Sequence, residues 1–309
     1  MTSRADLVAA AGDSIAKGSK SFRFASQLFD EETRERSWLL YSWCRACDDI
    51  TDGQTLGHDA TTPTNPEERL DFVREKTATA LAGKKTGLVP FDALGLVAAE
   101  CAIHPDLPAH HLAGFARDAA GWQPMTEEDL LSYCYQVAGA VGVMMAQVMG
   151  VPASDTDTLD RASDLGLAFQ LANIARDVVE DARVGRCYLP TDWLAEESIS
   201  AIDPDDPTQR EKLGRLARRL ATHADLYRLS ARVGAAQLPP RSRWAVLSAA
   251  RIYGRIAEKA RDFGAAAWDQ RITVPKGEKL LLVGQALLDS VGRAPEMDRR
   301  NLWTRPRLS

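Results

Sequence analysis

Strand-type alternation of apolar and polar residues is missing from this chain of 309 residues. That excludes a sheet-based fold and predicts an all-α one. Cysteine is scarce: five, at positions 44, 47, 101, 134 and 187, form no even framework, so reduced thiols and a cytoplasmic chain are expected. Cys44-x-x-Cys47 lacks the second pair that a zinc site needs. An excess of positive charge is lacking too. With 38 Lys and Arg against 43 Asp and Glu, the net charge is −5, which argues against nucleic acid as the main partner. The N-terminus carries no secretory pattern, and no Gly-rich dinucleotide fingerprint appears.

Long apolar runs are absent but for one. Leu130 to Val151 has no charged residue and is long enough for a membrane span. Ser132, Tyr133, Gln136, Gln147 and the glycines in it predict instead a central helix buried on all sides, preceded by Glu127, Glu128 and Asp129. Its small residues Ala138, Gly139, Ala140 and Gly142 leave space for a close helix neighbour or for a long apolar ligand. Helical periodicity also predicts a helix from Asp30 to Asp52 and others over 67–82, 88–103, 109–121, 208–233, 240–263 and 276–290. The turn-rich stretch 53–66 suits a mobile flap. His104, His110 and His111 read as surface or packing residues. One domain is expected over 1–290, followed by a basic tail over 291–309 with five arginines.

The residues that stand out are acids in pairs. In QLANIARDVVED, Asp177 and Asp181 are four apart, within about 40° on one helix face, with Gln170 and Asn173 back along nearly the same stripe. YSWCRACDDITD repeats the device with Tyr41, Arg45, Asp48 and Asp52. One such pair is ordinarily a solvated face. Its recurrence, each time beside an arginine (Arg45, Arg176), points further. Two carboxylate clusters facing each other repel strongly in a low-dielectric cleft, so a cation belongs between them. Mg²⁺ is usually held by one or two carboxylates plus substrate phosphate, so the sparse ligand set suggests a diphosphate substrate. Beside a charge-free helix lined with Gly, Ala and Met, such a site suits a molecule with a polar head and a greasy tail. Near the N-terminus, Ser19, Lys20 and Ser21 could hold a phosphate, or simply end one helix and cap the next.

Tyr41-x-x-x-Arg45-x-x-Asp48-Asp49-x-x-Asp52, Tyr133-x-x-x-x-Ala138-Gly139-x-Val141-Gly142, Gln170-Leu171-x-Asn173-Ile174-x-Arg176-Asp177-x-x-Glu180-Asp181 and Gly185-Arg186-x-Tyr188-Leu189-Pro190 resemble the signatures of the squalene and phytoene synthase family. The resemblance spans nearly the whole chain, from Gly18 to Lys276, and within the family it is greatest to the bacterial enzymes of carotenoid biosynthesis. It implies an isoprenoid-synthase helical fold around a central cavity. It also implies a transferase that joins two geranylgeranyl diphosphates head to head, through a cyclopropyl diphosphate, to phytoene. Asp48, Asp52, Asp177 and Asp181, helped by Asn173, would hold Mg²⁺ or Mn²⁺. Arg45, Ser19, Lys20, Ser21, Tyr253 and Arg271 would bind diphosphate. Tyr41, Gln170 and Arg176 would border the chemistry, and Tyr133, Ala138 and Gly139 the substrate. The missing dinucleotide fingerprint sets aside the NADPH step of squalene synthases. Farnesyl diphosphate is the alternative substrate, since spacing does not reveal the cavity floor.

Two readings outside the family remain. An all-α metal-dependent diphosphohydrolase would need an open, wet site. A helical scaffold would leave its acidic stripes solvated. A lipid-like substrate and a basic tail also suggest peripheral association with the inner face of the membrane, and with downstream carotenoid enzymes.

Overall fold

The computed structural model describes residues 3–18, 20–52 and 65–308, and of residues 18, 20–22 and 52 the backbone alone. Among the described residues there is no strand. The helices are α1 (Arg4–Gly18), α2 (Lys20–Ser26), α3 (Glu31–Asp52), α4 (Pro66–Leu81), α5 (Val89–Cys101), α6 (Asp106–Ala119), α7 (Glu127–Cys134), α8 (Ala140–Val148), α9 (Thr156–Arg183), α10 (Thr191–Glu196), α11 (Arg210–Ala235), α12 (Pro240–Phe263) and α13 (Lys276–Val291). Their starts follow local chemistry. Asp30 accepts from the Thr33 amide at 2.9 Å at the head of α3, Thr126 and Asp129 form a capping box at α7, and Asp155 caps α9. Prolines open α4, α5 and α12. The flap expected over 53–66 lies, up to residue 64, outside the described residues.

Besides the charge-free run, in which Gly150 alone is exposed, α9 is also packed from several sides. It buries 15 of its 28 residues, including Asp160, Arg161 and Asp164. Its charges hid that role, because a central helix is expected to be apolar all round. The run from Leu130 is buried as well, yet it is not one continuous α-helix. Residues Tyr135–Gly139 form a π-turn between α7 and α8. Such wide turns are uncommon and frequent at functional sites. Beyond it the helix crosses α9 at near backbone contact: a Cβ on Gly142 would lie 2.4 Å from the Ala162 carbonyl oxygen, and one on Gly166 2.4 Å from that of Ala138. No helix among the described residues is long and apolar enough to cross a membrane.

Two apolar cores flank this crossing. One joins the C-terminal half of α9 to α7, α10, α11 and α12. The other joins α1, α3, α5, α6 and α8. The tail beyond α13 is pinned to the domain. Arg305 and Arg307 reach Asp160 at 2.8 and 3.1 Å, Arg299 reaches Asp164 at 2.8 Å, and Trp303 packs against Tyr135. The stretch over 291–309 is therefore basic in composition, but three of its arginines are taken up by buried aspartates.

Candidate active site

Between the two cores lies a cavity of about 390 Å³. The stripe predicted on α3 turns inward: Tyr41, Cys44 and Asp48, at i, i+3 and i+7, line it. Phe169, Gln170 and Asn173 of α9 line it from another side, and Tyr253 of α12 stacks on Phe169 with ring centroids 4.0 Å apart. Thr158 and Arg161 mark the other end, 15 residues back along α9 from Thr158 to Asn173, or about 22 Å at helical rise. Between the ends the wall is largely small or apolar, with Ala138, Val141, Gly142, Met145, Ala162 and Ala231 among its residues. The space left by the small residues thus serves both ends named for it: close helix packing on one face and a cavity on the other.

Asp177 and Asp181 continue the Asn173 stripe beyond the cavity mouth. Arg176 clamps Asp177, its Nε donating to Oδ1 at 2.7 Å and a second guanidinium nitrogen to Oδ2. Arg271 pairs with Glu180 and lies 3.8 Å from Asp177. On α3, Arg45 donates to Asp48 at 2.8 Å and sits 3.4 Å from Asp49, while its buried Nε has no hydrogen-bond acceptor. Each acidic cluster therefore carries guanidinium, and the two are less repulsive than bare carboxylates. Asp181 still shows the strain. Burial first, then the neighbouring Asp177 carboxylate, push its pKa up to about 7, against the pull of Arg186 and Arg176. Burial likewise raises the Tyr41 and Tyr253 phenols, which stay protonated donors.

No three acidic, His or Cys side chains among the described residues converge into a ready cage. A crowded carboxyl such as Asp181 is of the kind that a divalent cation relieves. The side chains of Lys20, Ser21 and Asp52, and residue 19, lie outside the described residues.

Tyr41, Asp48, Ala138, Gln170, Asn173 and Tyr253 are thus brought together around the cavity. Arg45 pairs with Asp48 on α3, while Arg176, Asp177, Asp181 and Arg271 belong to a second charged cluster at the C-terminal end of α9. Tyr133 and Gly139 are placed elsewhere. Tyr133 is 3% exposed, stacks on Tyr188 at 5.0 Å and donates to Asp118 at 3.0 Å. Gly139 faces α9, where a Cβ would meet Leu167 and Ser163 at 2.8 Å. The histidines divide as well. His110 bonds Tyr135 at 2.7 Å, as a packing residue does, whereas His111 lines the cavity. Adjacency in sequence had hidden that, because neighbours on a helix diverge by about 100°.

A family profile described as squalene/phytoene synthase matches residues 15–278. The chain is 48% identical over 300 residues to a 15-cis-phytoene synthase of Pantoea ananas, covering 95% of this chain and 96% of that one. It is 47% identical to a 15-cis-phytoene synthase of Enterobacter agglomerans, covering 94% and 99%. Among solved structures it is similar to a dehydrosqualene synthase in complex with ligand, with a TM-score of 0.81, 27% identity, and 92% and 96% of the two chains covered.

Proposed function

Since this chain belongs to the squalene/phytoene synthase family, we infer that it is a prenyltransferase of carotenoid biosynthesis that joins two geranylgeranyl diphosphates head to head into phytoene. The observation that carries the reading is the largely apolar cavity lined by Tyr41 and Asp48 of α3 and by Gln170 and Asn173 of α9, the residues that begin the two stripes.

Asp48, Asp52, Asp177 and Asp181, with Asn173, are the groups that would hold Mg²⁺ or Mn²⁺, which when bound neutralises the diphosphates and stabilises the departing one. The protein's own part is to orient and to keep dry. Arg45, Tyr253 and Arg271, together with Ser19, Lys20 and Ser21, are proposed to donate to diphosphate oxygens. Tyr41 and Gln170, which line the cavity, are proposed to border the reacting carbons without offering a strong nucleophile. The small and apolar walls between mouth and floor seat the tails and exclude water that would quench a cation. Tyr133 is proposed to act from behind the wall, holding the turn that carries Ala138. Phytoene keeps the double bond made by proton loss, so this reading needs no NADPH.

Incubation with geranylgeranyl or farnesyl diphosphate and Mg²⁺, followed by extraction, tests the reading. Phytoene from the longer substrate is expected. A thirty-carbon product, the reading favoured by the likeness to a dehydrosqualene synthase, would replace it, and prenyl alcohol alone would indicate hydrolysis. Peripheral contact with the inner face of the membrane, beside downstream carotenoid enzymes, is proposed through α13 rather than the tail. Leu280, Leu281, Leu288 and Val291 are 61–79% exposed on one side of that helix. Absence of liposome flotation would remove this part.

A further inference from the structure

The cavity runs along α9. Thr158, Arg161, Leu165, Phe169 and Asn173 line it at steps of three and four residues, one face of the helix turn after turn. Distance along that face is therefore a ruler for whatever lies in the cavity. From Asn173 to Arg161 it measures about 18 Å at helical rise. An extended geranylgeranyl chain has sixteen carbons in line, and bonds of about 1.5 Å laid in zigzag bring it to about 19 Å. A farnesyl chain, with twelve in line, comes to about 14 Å. A tail headed at Asn173 thus reaches Arg161 if it is geranylgeranyl and stops about one helical turn short if it is farnesyl.

Arg161 is an unusual residue for the end of a greasy cavity. Among the described residues that line the cavity it is the one cation, and it is 8% exposed. Its head is fully occupied: Nε donates to Asp157 at 2.9 Å, one terminal nitrogen to the Ser230 hydroxyl at 3.3 Å and the other to the Met297 carbonyl oxygen at 3.2 Å. None of these three partners lines the cavity. The guanidinium is thus held by groups outside the wall, and the methylene stem is what a hydrocarbon meets. The stem is wedged as well. A Cβ on Gly234 of α11 would lie 2.7 Å from the Arg161 Cβ, so the two helices leave room for this side chain and little else. Moving it would break three hydrogen bonds to a buried charge.

We propose that Arg161 is the specificity-determining residue that ends the cavity, its stem stopping a tail of four prenyl units. One prenyl unit spans about 5 Å, close to one helical turn. Shortening the side chain at this position therefore makes room for a fifth.

The inference rests on the phytoene reading, and the experiment separates the two. Wild type, Arg161→Met and Arg161→Ala are given geranylgeranyl and geranylfarnesyl diphosphate in competition with Mg²⁺, with hydrocarbons resolved by chromatography and folding followed by thermal melts. Met keeps a stem and loses the tethers, whereas Ala loses both. Both variants should melt lower than wild type, but only Arg161→Ala should shift its preference towards the longer substrate, by about tenfold. A wild-type preference in folded Arg161→Ala overturns the assignment, as does an equal shift in both variants. Independently of any variant, geranylgeranyl diphosphate carrying a diazirine on its last prenyl unit should crosslink in the wild type to the turn from Thr158 to Ala162 or to Gly234 beside it. Absence of label there overturns the assignment too. Failure of the wild type to make any forty-carbon hydrocarbon would instead sink the phytoene reading.

Discussion

Helix α9 carries the same device twice, with opposite outcomes. Asp160 and Asp164 are four apart, as are Asp177 and Asp181. At the first pair, Arg305 and Arg307 hold Asp160, and Arg299 forks onto Asp164, which also accepts from Ser230 at 2.5 Å. Burial holds the Asp164 carboxyl above its ordinary range, against the pull of Arg299 and Ser230. At the second pair Arg176 clamps Asp177, but Asp181 is left with a pKa of about 7. The lesson is that spacing makes a pair, while its remaining demand for positive charge makes a site. The first pair is satisfied by the chain's own tail and serves stability. The second keeps a crowded carboxyl at Asp181, which the proposed cation would relieve.

The largest effect that can break this contrast is on turnover. Asp177→Ala or Asp181→Ala should lower phytoene formation by on the order of 10³-fold, and chelation of divalent cations should do the same. Asp160→Asn should leave turnover per folded molecule close to wild type. Equal losses from both pairs would erase the distinction.

Stability should show the reverse. Arg299→Ala removes the fork from a fully buried carboxylate, and urea unfolding should register a loss of about 3 kcal/mol or more. The double variant Arg299→Met/Asp164→Leu should recover most of it, because neither desolvated charge remains.

A smaller effect has a definite sign. In metal-free protein the folded-state pKa of Asp181 lies above its unfolded value of 3.8, so the folded state binds the extra proton. Stability from this group is present at low pH and is lost as pH rises towards about 7. Asp181→Asn should therefore stabilise the metal-free protein by on the order of 2 kcal/mol at pH 8, with no gain near pH 4. Mg²⁺ should raise the melting temperature of the wild type and not of this variant. The smallest effect concerns the end of the cavity near the first pair. Ala231→Phe would fill space beside Ala162 and Arg161, and competition assays should show a shift towards farnesyl diphosphate of about tenfold.

Much of this was legible in advance. The α3 stripe of Tyr41, Arg45, Asp48 and Asp52 and the α9 stripe from Gln170 to Asp181 follow from helical period alone, and the helices fall within a few residues of where capping and apolar rhythm place them. What was not legible shares one cause: it depends on a partner far along the chain. The π-turn at Tyr135–Gly139 is made by packing against α6 and α9. The pairing of Asp160 and Asp164 depends on arginines some 135 to 147 residues later. His111, read as one of three surface or packing histidines, is buried and belongs to the cavity wall.

By itself, then, the amino-acid order determined an all-helical chain, the two acidic stripes and the family to which they belong, because helix formation and side-chain phase are local. Only the tertiary structure decided which acids stay hungry for charge, where the cavity ends and which histidine faces it. Those depend on burial and on counter-charges supplied from distant segments, and no local pattern encodes either.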